Sequence, residues 1–523
     1  MLSALLGLST ASVASGSGSG ISFAVTQSFL DYARNATLPA LEQVVPTLKL
    51  DNFSGDSASF QWSVSHIKIA EGVSCGLSLE LQGNNTLAMS LNNLHLSLEA
   101  DVHVREDIWP HPSFHGSVSG NADGSAVTAL VSIGEDAGSG AATVALDSCE
   151  AHVSLHHLKI HGLSILDPVL DLVLSAIKRL FYHSIRKALC DKLILKKVVE
   201  GMLQPLLSSL TYVATLPLSK PFDGAAIDYH LSAAPRVVHP GPASSSTFLD
   251  VALLGEVFDD DRQRHSNLPP PVLPRLSEPL AGRHATLRVS AFPFNTLLWT
   301  FYTQRALEYM VVPSMLPAKE QRLLKTNFFK HLMPKLYAAY PDHNMTLSVS
   351  AMTLPHLTMG LGNITLGAHI NLSFAVQTTP TAGGLGAGNA TKSVFAFSLW
   401  SPFDAAVQLS AAADPLSGDA RLAAKLDEVD VKLRAGQSEF GVLGPLVIAL
   451  LSGPLNFVVN EVVRPLANLV LERGIDLPTF SQQAEGMNVS IALVNPVLEL
   501  REDYAMIGVD ARMRLAPARL YGF

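Results

Sequence analysis

Four closely spaced histidines are the residues of this chain best suited to chemistry. His152, His156, His157 and His161 follow one another with gaps of four residues or fewer. Neutral imidazole is a common zinc ligand, so this spacing raises the question of a metal site. On a strand, three of the four face one side only if the adjacent pair forms a bulge. No cysteine or carboxylate completes a ligand set, so we interpret these side chains as surface histidines and expect no metal.

Motifs of the common enzyme classes are missing from the sequence. The chain contains no GxSxG nucleophile elbow, no HExxH zinc motif and no Walker A loop. The glycine-rich run at 383–388 belongs to a surface insertion and opens no helix, so it predicts no nucleotide site. We therefore expect a protein that is not an enzyme and that has neither catalytic residues nor a cofactor. A catalytic triad whose residues are far apart in sequence is not excluded by the absence of these motifs.

Asparagines in N-x-[ST] triplets are spread over the whole length of the chain. Each triplet alone is a weak signal, but together they predict a glycosylated extracellular surface. Residues 1–20 begin with a short apolar run followed by small residues, so we interpret them as a signal peptide or a flexible N-terminus. The eight candidate acceptors are Asn35, Asn52, Asn84, Asn344, Asn363, Asn371, Asn389 and Asn488.

Composition and charge exclude several classes of protein. Hydrophobic residues make up 48% of the 523 residues and charged residues only 15%, which excludes a disordered chain or a coiled coil. The net charge of −9 leaves no basic footprint for a nucleic acid. Three cysteines, Cys75, Cys149 and Cys190, allow one disulfide and one free thiol.

Basic residues concentrate in one predicted helix of the first half. Two interpretations stay open, a solvated face beside acidic neighbours or a site for lipid headgroups. These residues are Lys178, Arg179, Arg186, Lys187, Lys192, Lys196 and Lys197.

The order of predicted elements repeats once along the chain. Apolar residues at the helical period predict a helix from Ile21 to Val45, and strict alternation predicts a strand from Leu94 to Val104. A long helix follows at about 165–207. The second half repeats this plan with a helix at about 295–315, several strands, and a long helix at about 442–472. Helix, antiparallel strands and long helix therefore form an internal repeat.

An uncharged stretch at 441–459 is long enough to span a membrane. Its internal prolines each remove a helix hydrogen bond, and Asn456 and Asn460 lie near its end. Sequons on both sides could not both be glycosylated if a single span separated them. We therefore predict a helix that is buried on most of its circumference.

Several short sequence segments, in the same order along the chain, resemble segments of one known family. The opening residues 20–33 resemble its first helix, residues 48–55 its entry into the first strand, and residues 213–229 and 247–258 its central-sheet strands. Three further segments resemble the second half of that family's proteins, namely residues 293–296, 349–357 and 474–478. The chain thus resembles the bactericidal/permeability-increasing and lipopolysaccharide-binding protein family, with its cholesteryl ester and phospholipid transfer relatives.

The resemblance implies an α+β fold in an elongated two-domain protein. Two pseudo-symmetric antiparallel β-barrels, each wrapped around a long helix, would be joined by a central antiparallel sheet. A disulfide between Cys149 and Cys190 would join strand to helix. The implied division is an N-terminal lipid-binding barrel at 21–215, central-sheet strands at 216–262, a Pro-rich linker at 263–290, a C-terminal lipid-binding barrel at 291–480 and returning central-sheet strands at 481–523.

Each barrel would hold lipid in an apolar tunnel, and apolar helix faces supply the candidate lining. For any one of these residues, packing against the sheet is the alternative. The candidates are Ile21, Val25, Phe29, Leu170, Leu174, Ile177, Phe181, Val198 and Met202 in the first half, and Leu298, Phe301, Met310, Val442, Leu446, Leu450 and Phe457 in the second.

A Pro-rich turn that carries Trp109 and Phe114 is the candidate membrane-contact tip, unless both rings fold back onto the barrel. The matching stretch in lipopolysaccharide-binding members is basic, whereas this turn has one arginine, Arg105, beside two carboxylates. We therefore expect a secreted, extracellular lipid-binding or lipid-transfer protein. Its partners would be phospholipid or neutral lipid and a membrane or lipoprotein surface. The alternatives are a binder of bacterial envelope lipid, or a membrane-anchored protein.

Overall fold

Two curled antiparallel sheets, one from each half of the chain, and a third sheet shared by both halves make up most of this computed structural model. The structure describes residues 18–517 except 58–59, 71–72, 108, 137, 139, 163–166, 209–212, 217, 219, 221, 240–246, 379–391, 414–419, 428, 430, 442, 473–474, 477–479 and 485–486. The predicted leader up to residue 17, Asn389 and Val442 lie outside the described residues, as do the side chains of Leu170, Met202 and Asn488.

The strands, in chain order, are β1 Ile21–Thr26, β2 Phe53–Ser57, β3 Phe60–Ile69, β4 Ser74–Gln82, β5 Thr86–Glu106, β6 Ser113–Glu135, β7 Ala142–His152, β8 Leu155–His161, β9 Val213–Thr215, β10 Ala225–Asp228, β11 Leu231–Val238, β12 Phe248–Leu253, β13 Glu256–Asp259, β14 Ala285–Ser290, β15 Glu308–Val311, β16 Met345–Ala351, β17 His356–Gly360, β18 Asn363–Thr378, β19 Lys392–Ala413, β20 Ala420–Leu426, β21 Arg434–Ser438, β22 Ile475–Asp476, β23 Phe480–Ala484, β24 Met487–Leu500 and β25 Tyr504–Pro517.

The helices are α1 Gln27–Val44, α2 Asp167–Lys187, α3 Gln204–Ser208, α4 Phe292–Thr303, α5 Pro334–Ala339, α6 Pro445–Val458 and α7 Arg464–Leu471. A π-helical segment, Ala188–Leu203, joins α2 to α3, and a second, Val459–Val463, joins α6 to α7. The predicted long helices at about 165–207 and 442–472 are thus confirmed as two nearly continuous helical runs. Short 3₁₀ turns cover Val45–Thr47, Pro313–Met315, Gln321–Leu324 and Thr326–Phe329.

The N-terminal half-barrel consists of β2 to β8. Its main path is β2-β3-β5-β6-β7, while β4 pairs with β5 and β8 pairs with β6. The long hairpin of β5 and β6 shows the predicted alternation: Leu98, Ala100, Val102 and Val104 are buried, whereas the residues that alternate with them are exposed or half-buried. One face of this sheet therefore packs against the long helix, and the other meets solvent.

The central sheet draws strands from both halves in the order β11-β12-β1-β14-β25-β24-β23. Its middle strands β1 and β14 pair with each other, with Ile21 opposite Val289. Strands β12 and β11 follow beyond β1, and strands β25, β24 and β23 follow beyond β14. The central sheet thus joins the two halves of the chain through β1 from the first half and β14 from the second.

The predicted helix from Ile21 to Val45 is wrong at its start. Ile21–Thr26 form β1, which pairs with β12 on one edge and β14 on the other, and α1 begins only at Gln27. An interior strand that is covered on both faces carries apolar residues at neighbouring positions, which a helical period can fit by chance. Ile21 and Val25 therefore lie in the central sheet, and so do the first residues assigned to the N-terminal barrel.

The C-terminal half-barrel follows the path β15-β16-β18-β19-β20-β22, with β17 beside β18 and β21 beside β19. The helix predicted at about 295–315 is too long, because α4 ends at Thr303. Arg305 adopts a positive φ of 58°, a conformation that ends a helix, and the chain returns as β15 to pair with β16. The second part of the predicted helix is therefore a strand, β15, which includes Met310.

The Pro-rich linker crosses the central sheet and is anchored to it by a buried arginine. Arg288 on β14 is 3% exposed, contacts the carboxylate of Asp250 on β12 at 3.2 Å and donates a hydrogen bond to the carbonyl of Pro274 in the linker. Leu276 is buried in the same region against Phe248. The last residues of the predicted linker form β14, a strand of the central sheet, so the linker prediction is wrong at its end.

Candidate functional site

Helix α2 packs into the N-terminal half-barrel through the residues that the sequence analysis selected. Ile177 and Phe181 are fully buried, and the ring of Phe181 meets the ring of Phe53 edge-on, with 5.2 Å between centroids. Val198, in the π-helical segment, is also buried, and Leu174 is half-buried. The structure therefore places Ile177, Phe181 and Val198 in the packed core, the alternative that was considered for each.

Helix α1 carries an apolar face that stays only half-buried where the helix lies on β4. Phe29 is half-buried, with its ring centroid 6.4 Å from that of His284. Further residues continue this face at the helical period after Phe29 and were not among the predicted lining residues. These half-buried side chains on α1 are Leu30, Leu41 and Val44, with Cys75 and Leu79 on β4.

Helix α6 has two apolar faces, of which only one packs on the sheet. Val447, Leu451, Leu455 and Val458 are buried in the core of the C-terminal half-barrel. The predicted lining residues lie on another face, where Leu446 is 69% exposed and Leu450 is 48% exposed. Phe457 is half-buried. The predicted set therefore marks the part of α6 that the protein leaves open to a ligand or to solvent.

The remaining candidates of the second half do not lie together. Phe301 on α4 is buried against the ring of Phe222, with 4.7 Å between centroids. Leu298 is half-buried in a different cluster, and Met310 on β15 is 56% exposed. Phe301 and Leu298 thus support the junction between α4 and its neighbouring sheets, while Met310 lies on the surface.

Side-chain amides fix the helices of the first half to sheet edges. The amide of Gln27 donates to the carbonyl of Leu79 at 2.6 Å and accepts from the backbone N–H of Leu81 at 3.2 Å. Gln204 on α3 does the same on β7, donating to Ala142 O and accepting from Val144 N–H. Each amide thus forms the backbone hydrogen bonds that a neighbouring strand would form at that edge of the half-barrel.

The second half contains the same kind of contact between a side-chain amide and the backbone. Asn295 on α4 forms both bonds with the backbone of Leu357 on β17, the counterpart of the Gln27 contact. Asn460 pairs in the same way with Val429, and Asn468 with Leu426. The spacing of Asn456, Asn460 and Asn468 by multiples of four on an apolar helix is the signal that could have revealed this amide ladder.

The cysteines occur as the resemblance implies. Cys149 on β7 and Cys190 in the helical run form a disulfide that closes a separation of 41 residues. Cys75 is a free thiol, and burial, followed by the nearby carboxylate of Glu42, raises the pKa of that thiol. The disulfide therefore fastens the long helix to the sheet in the first half.

The tip of the β5–β6 hairpin presents one aromatic ring to solvent. Trp109 is 83% exposed, the largest exposure of any large apolar side chain in the described part of the chain. Phe114 is half-buried and lies opposite Val104, a core residue of the hairpin. Trp109 and Phe114 therefore differ: the first projects away, and the second lies on the inward side of the sheet.

The histidine cluster does not assemble a metal site. His152 ends β7, while His156, His157 and His161 lie on β8, and His157 adopts a positive φ at an irregularity of the pairing. Among the described residues, no group of three or more histidine, cysteine or acidic side chains could hold a metal ion.

One described helical run, Pro445–Leu469, is long and apolar enough to cross a membrane by length and composition alone. Its mean hydropathy of 1.8 reflects the uncharged stretch noted in the sequence. The amide ladder nevertheless ties the run to the backbone of the C-terminal half-barrel, and its Val447 face is core. These contacts favour a helix packed on the half-barrel over a span. The prediction that this helix is buried on most of its circumference is wrong, because Leu446 and Leu450 are exposed on the face that the sheet leaves uncovered.

Family models for the N-terminal and the C-terminal domain of the LBP / BPI / CETP family match residues 29–206 and 223–513. The chain belongs to the LBP/BPI/CETP family. Proteins of this family bind or transport lipids and are not enzymes, and this member is likewise not an enzyme.

Relatives of this LBP/BPI/CETP member match it over nearly its whole length. It is 23% identical to the lipopolysaccharide-binding protein of Bos taurus, over 98% of this chain and 97% of the relative. It is also 23% identical to the bactericidal permeability-increasing protein of Rattus norvegicus, over 97% of this chain and 96% of the relative. A crystal structure of lipopolysaccharide binding protein covers 95% of this chain and is itself covered to 99%, with a TM-score of 0.54 at 21% identity. That similarity confirms the predicted two-barrel fold.

Proposed function

We propose that this LBP/BPI/CETP member is a secreted protein that holds acyl chains of phospholipid or neutral lipid and transfers them between lipid surfaces. The observation that carries the proposal is the open apolar face of α6, where Leu446 and Leu450 are exposed although the same helix is packed on its other side. The half-buried apolar face of α1 supports a comparable site in the first half.

The energy of acyl-chain burial fits apolar faces with few polar groups. Burying one CH₂ contributes about 0.8 kcal/mol, so a 16-carbon chain contributes roughly 13 kcal/mol before the costs of ordering. No charged residue lies between Glu439 and Glu461 to bind a headgroup on α6. Affinity should therefore depend on chain length, with modest selectivity among headgroups.

Mass spectrometry of lipids that co-purify without detergent tests this proposal. The wild-type protein should carry phospholipid or neutral lipid in near-stoichiometric amount, and Leu446→Asn with Leu450→Asn should reduce the amount bound to the second half. Leu469→Asn is the matched control, because Leu469 is 70% exposed on the same helical run but lies outside the predicted lining. A lipid-free, stably folded wild-type protein would overturn the proposal.

The exposed Trp109 suits contact with a lipid surface, because indole rings prefer the membrane interface. Trp109→Ala should weaken binding to phosphatidylcholine vesicles while thermal stability stays unchanged. Phe114→Ala, in contrast, should lower stability because Phe114 is half-buried. Unchanged vesicle binding by Trp109→Ala would remove the tip from the proposal.

Binding of bacterial lipopolysaccharide is the second candidate, favoured by similarity to the lipopolysaccharide-binding protein of Bos taurus over 98% of this chain. The composition of the tip argues against it, since Arg105 is followed by Glu106 and Asp107. A direct comparison of lipopolysaccharide with phosphatidylcholine vesicles at neutral pH separates the two. Strong preference for lipopolysaccharide would select the second candidate.

Secretion is supported by exposed sequons and by the disulfide. Asn35, Asn52, Asn84, Asn344 and Asn363 are exposed. Asn371 is half-buried on β18. A disulfide is expected in an oxidising compartment. Enzymatic removal of N-glycans from the protein secreted by cultured cells should lower its apparent mass, and retention inside the cells without glycans would contradict secretion.

A further inference from the structure

Strand register gathers histidines from four strands and one turn near the tip that carries Trp109. His103 on β5 lies directly opposite His115 on β6, and their ring centroids are 4.4 Å apart. His161 on β8 pairs with Ser117, two residues beyond His115. His66 on β3 contacts Asp101, two residues before His103, at 3.0 Å. We define the histidine patch as these four side chains with His111 of the turn.

All strand members of the patch lie on the outward face of the half-barrel. The residues beside His103, Val102 and Val104, are buried, so the strand turns the histidine outward. His115, His161 and His111 are exposed, and the side chain of His66 is 77% exposed. His111 precedes His115 by four residues, at most about 13 Å of extended chain, so the patch begins close to the ring that projects from the tip.

Protonation reverses the charge of this face. The charged groups around the patch are Lys68 and Asp56 on β3 and its neighbour β2, Glu99, Asp101, Arg105 and Glu106 on β5, Asp107 in the turn and Lys159 on β8. These three basic and five acidic residues carry a net charge of −2 while the histidines are neutral, and five imidazolium ions change it to +3. Histidine ordinarily changes charge between about pH 5 and 8, whereas carboxylates stay ionised there.

We propose that the histidine patch is an acid-activated docking surface for anionic lipid bilayers. This inference rests on the proposed contact of Trp109 with lipid surfaces. Two imidazolium ions whose ring centroids lie 4.4 Å apart repel each other, and lipid phosphates beside His103 and His115 relieve that repulsion. Membrane binding and proton uptake are therefore coupled. Near neutral pH the acidic residues repel the same bilayer, so docking on anionic lipid is confined to acidic conditions.

Vesicle co-sedimentation with the full chain tests the proposal, using phosphatidylcholine vesicles with and without phosphatidylglycerol. Each basic group near an anionic surface contributes about fivefold in affinity, and screening reduces the total. Between about pH 7.5 and about pH 5.5, affinity for the phosphatidylglycerol vesicles should rise at least about tenfold. Affinity for pure phosphatidylcholine should stay constant. If the affinity for both vesicle types does not change with pH, the acid-activated patch is overturned while the proposed contact of Trp109 with lipid surfaces stands. If the protein binds neither vesicle type, the proposed surface contact itself is overturned.

Substitutions test whether the pH dependence of vesicle binding comes from the histidine patch. Replacement of His66, His103, His115 and His161 by glutamine should abolish the pH dependence. The matched control replaces His152, His156, His157 and His183, which are also exposed in the first half. It should keep the dependence, and equal loss in both variants would overturn a localised patch. His103→Arg with His115→Arg should bind phosphatidylglycerol vesicles at about pH 7.5, and failure to do so would overturn the electrostatic basis.

Discussion

Replacing Asn460 by leucine should loosen the attachment of the C-terminal helical run to its half-barrel. The amide of Asn460 donates to Val429 O at 2.7 Å and accepts from Val429 N–H at 2.9 Å. Asn460 is 5% exposed and Val429 1% exposed, so water cannot replace either bond without local opening. Each buried polar group left unpaired costs about 1–3 kcal/mol, so the two together cost about 2–6 kcal/mol.

Hydrogen exchange measured by mass spectrometry detects this loss at the site itself. Because 1.4 kcal/mol is a factor of ten, the lower bound corresponds to at least about 30-fold faster exchange of the Val429 amide. Ser452→Ala is the control, since the hydroxyl of Ser452 donates to the carbonyl of Ala449 on its own helix. Peptides that cover β5 in the other half should not change in either variant.

Unchanged exchange at Val429 in Asn460→Leu would refute the reasoning. It would mean that the helix is held by apolar packing of its Leu451 face alone, and that the amide bonds contribute no net stability. Equal acceleration in Ser452→Ala would also contradict it, because that change leaves the amide ladder intact.

Three further predictions concern other parts of the fold. Replacing Cys149 and Cys190 by alanine should destabilise the first half by roughly 4 kcal/mol in the chain-entropy model, measured by urea unfolding beside the wild type. Because burial and Glu42 raise the pKa of Cys75, its thiolate is scarce at about pH 8, so alkylation should be slow. Glu42→Gln should lower that pKa and speed the reaction, and an unchanged rate would contradict the influence of Glu42. Arg288→Leu removes the nearer of the two arginines that contact Asp250 on β12, leaving Arg236 at 3.5 Å, and should cost about 3 kcal/mol, seen as a lower thermal midpoint.

Local patterns in the sequence were sufficient for the long helices and the barrel strands. The alternation from Leu94 to Val104 predicted a half-buried strand, because side chains of a strand point to opposite faces wherever it lies. The uncharged apolar stretch at 441–459 likewise predicted the second helical run, at about 442–472. The resemblance located the disulfide from Cys149 to Cys190, which spacing alone could not choose among three cysteines.

The tertiary structure decided what the periodicity left ambiguous. Ile21–Thr26 became a strand because β12 and β14 pair with both of its edges, and those partners are far away in sequence. On α6, Leu446 and Val447 have nearly the same hydrophobicity, yet the sheet covers only the second. Which face is open depends on where the amide ladder fixes the helix, and a one-dimensional pattern does not contain that rotation.

The sequence by itself determined the family, the order of elements and the absence of common enzyme motifs, because each depends on residues close together along the chain. Only the tertiary structure decided that Trp109 projects while Phe114 lies inward. It also brought His66, His103, His115 and His161 onto one surface, although they span almost a hundred residues. The physical reason is register: hydrogen bonding between strands sets which distant residues become neighbours, and that pairing is a property of the folded sheet.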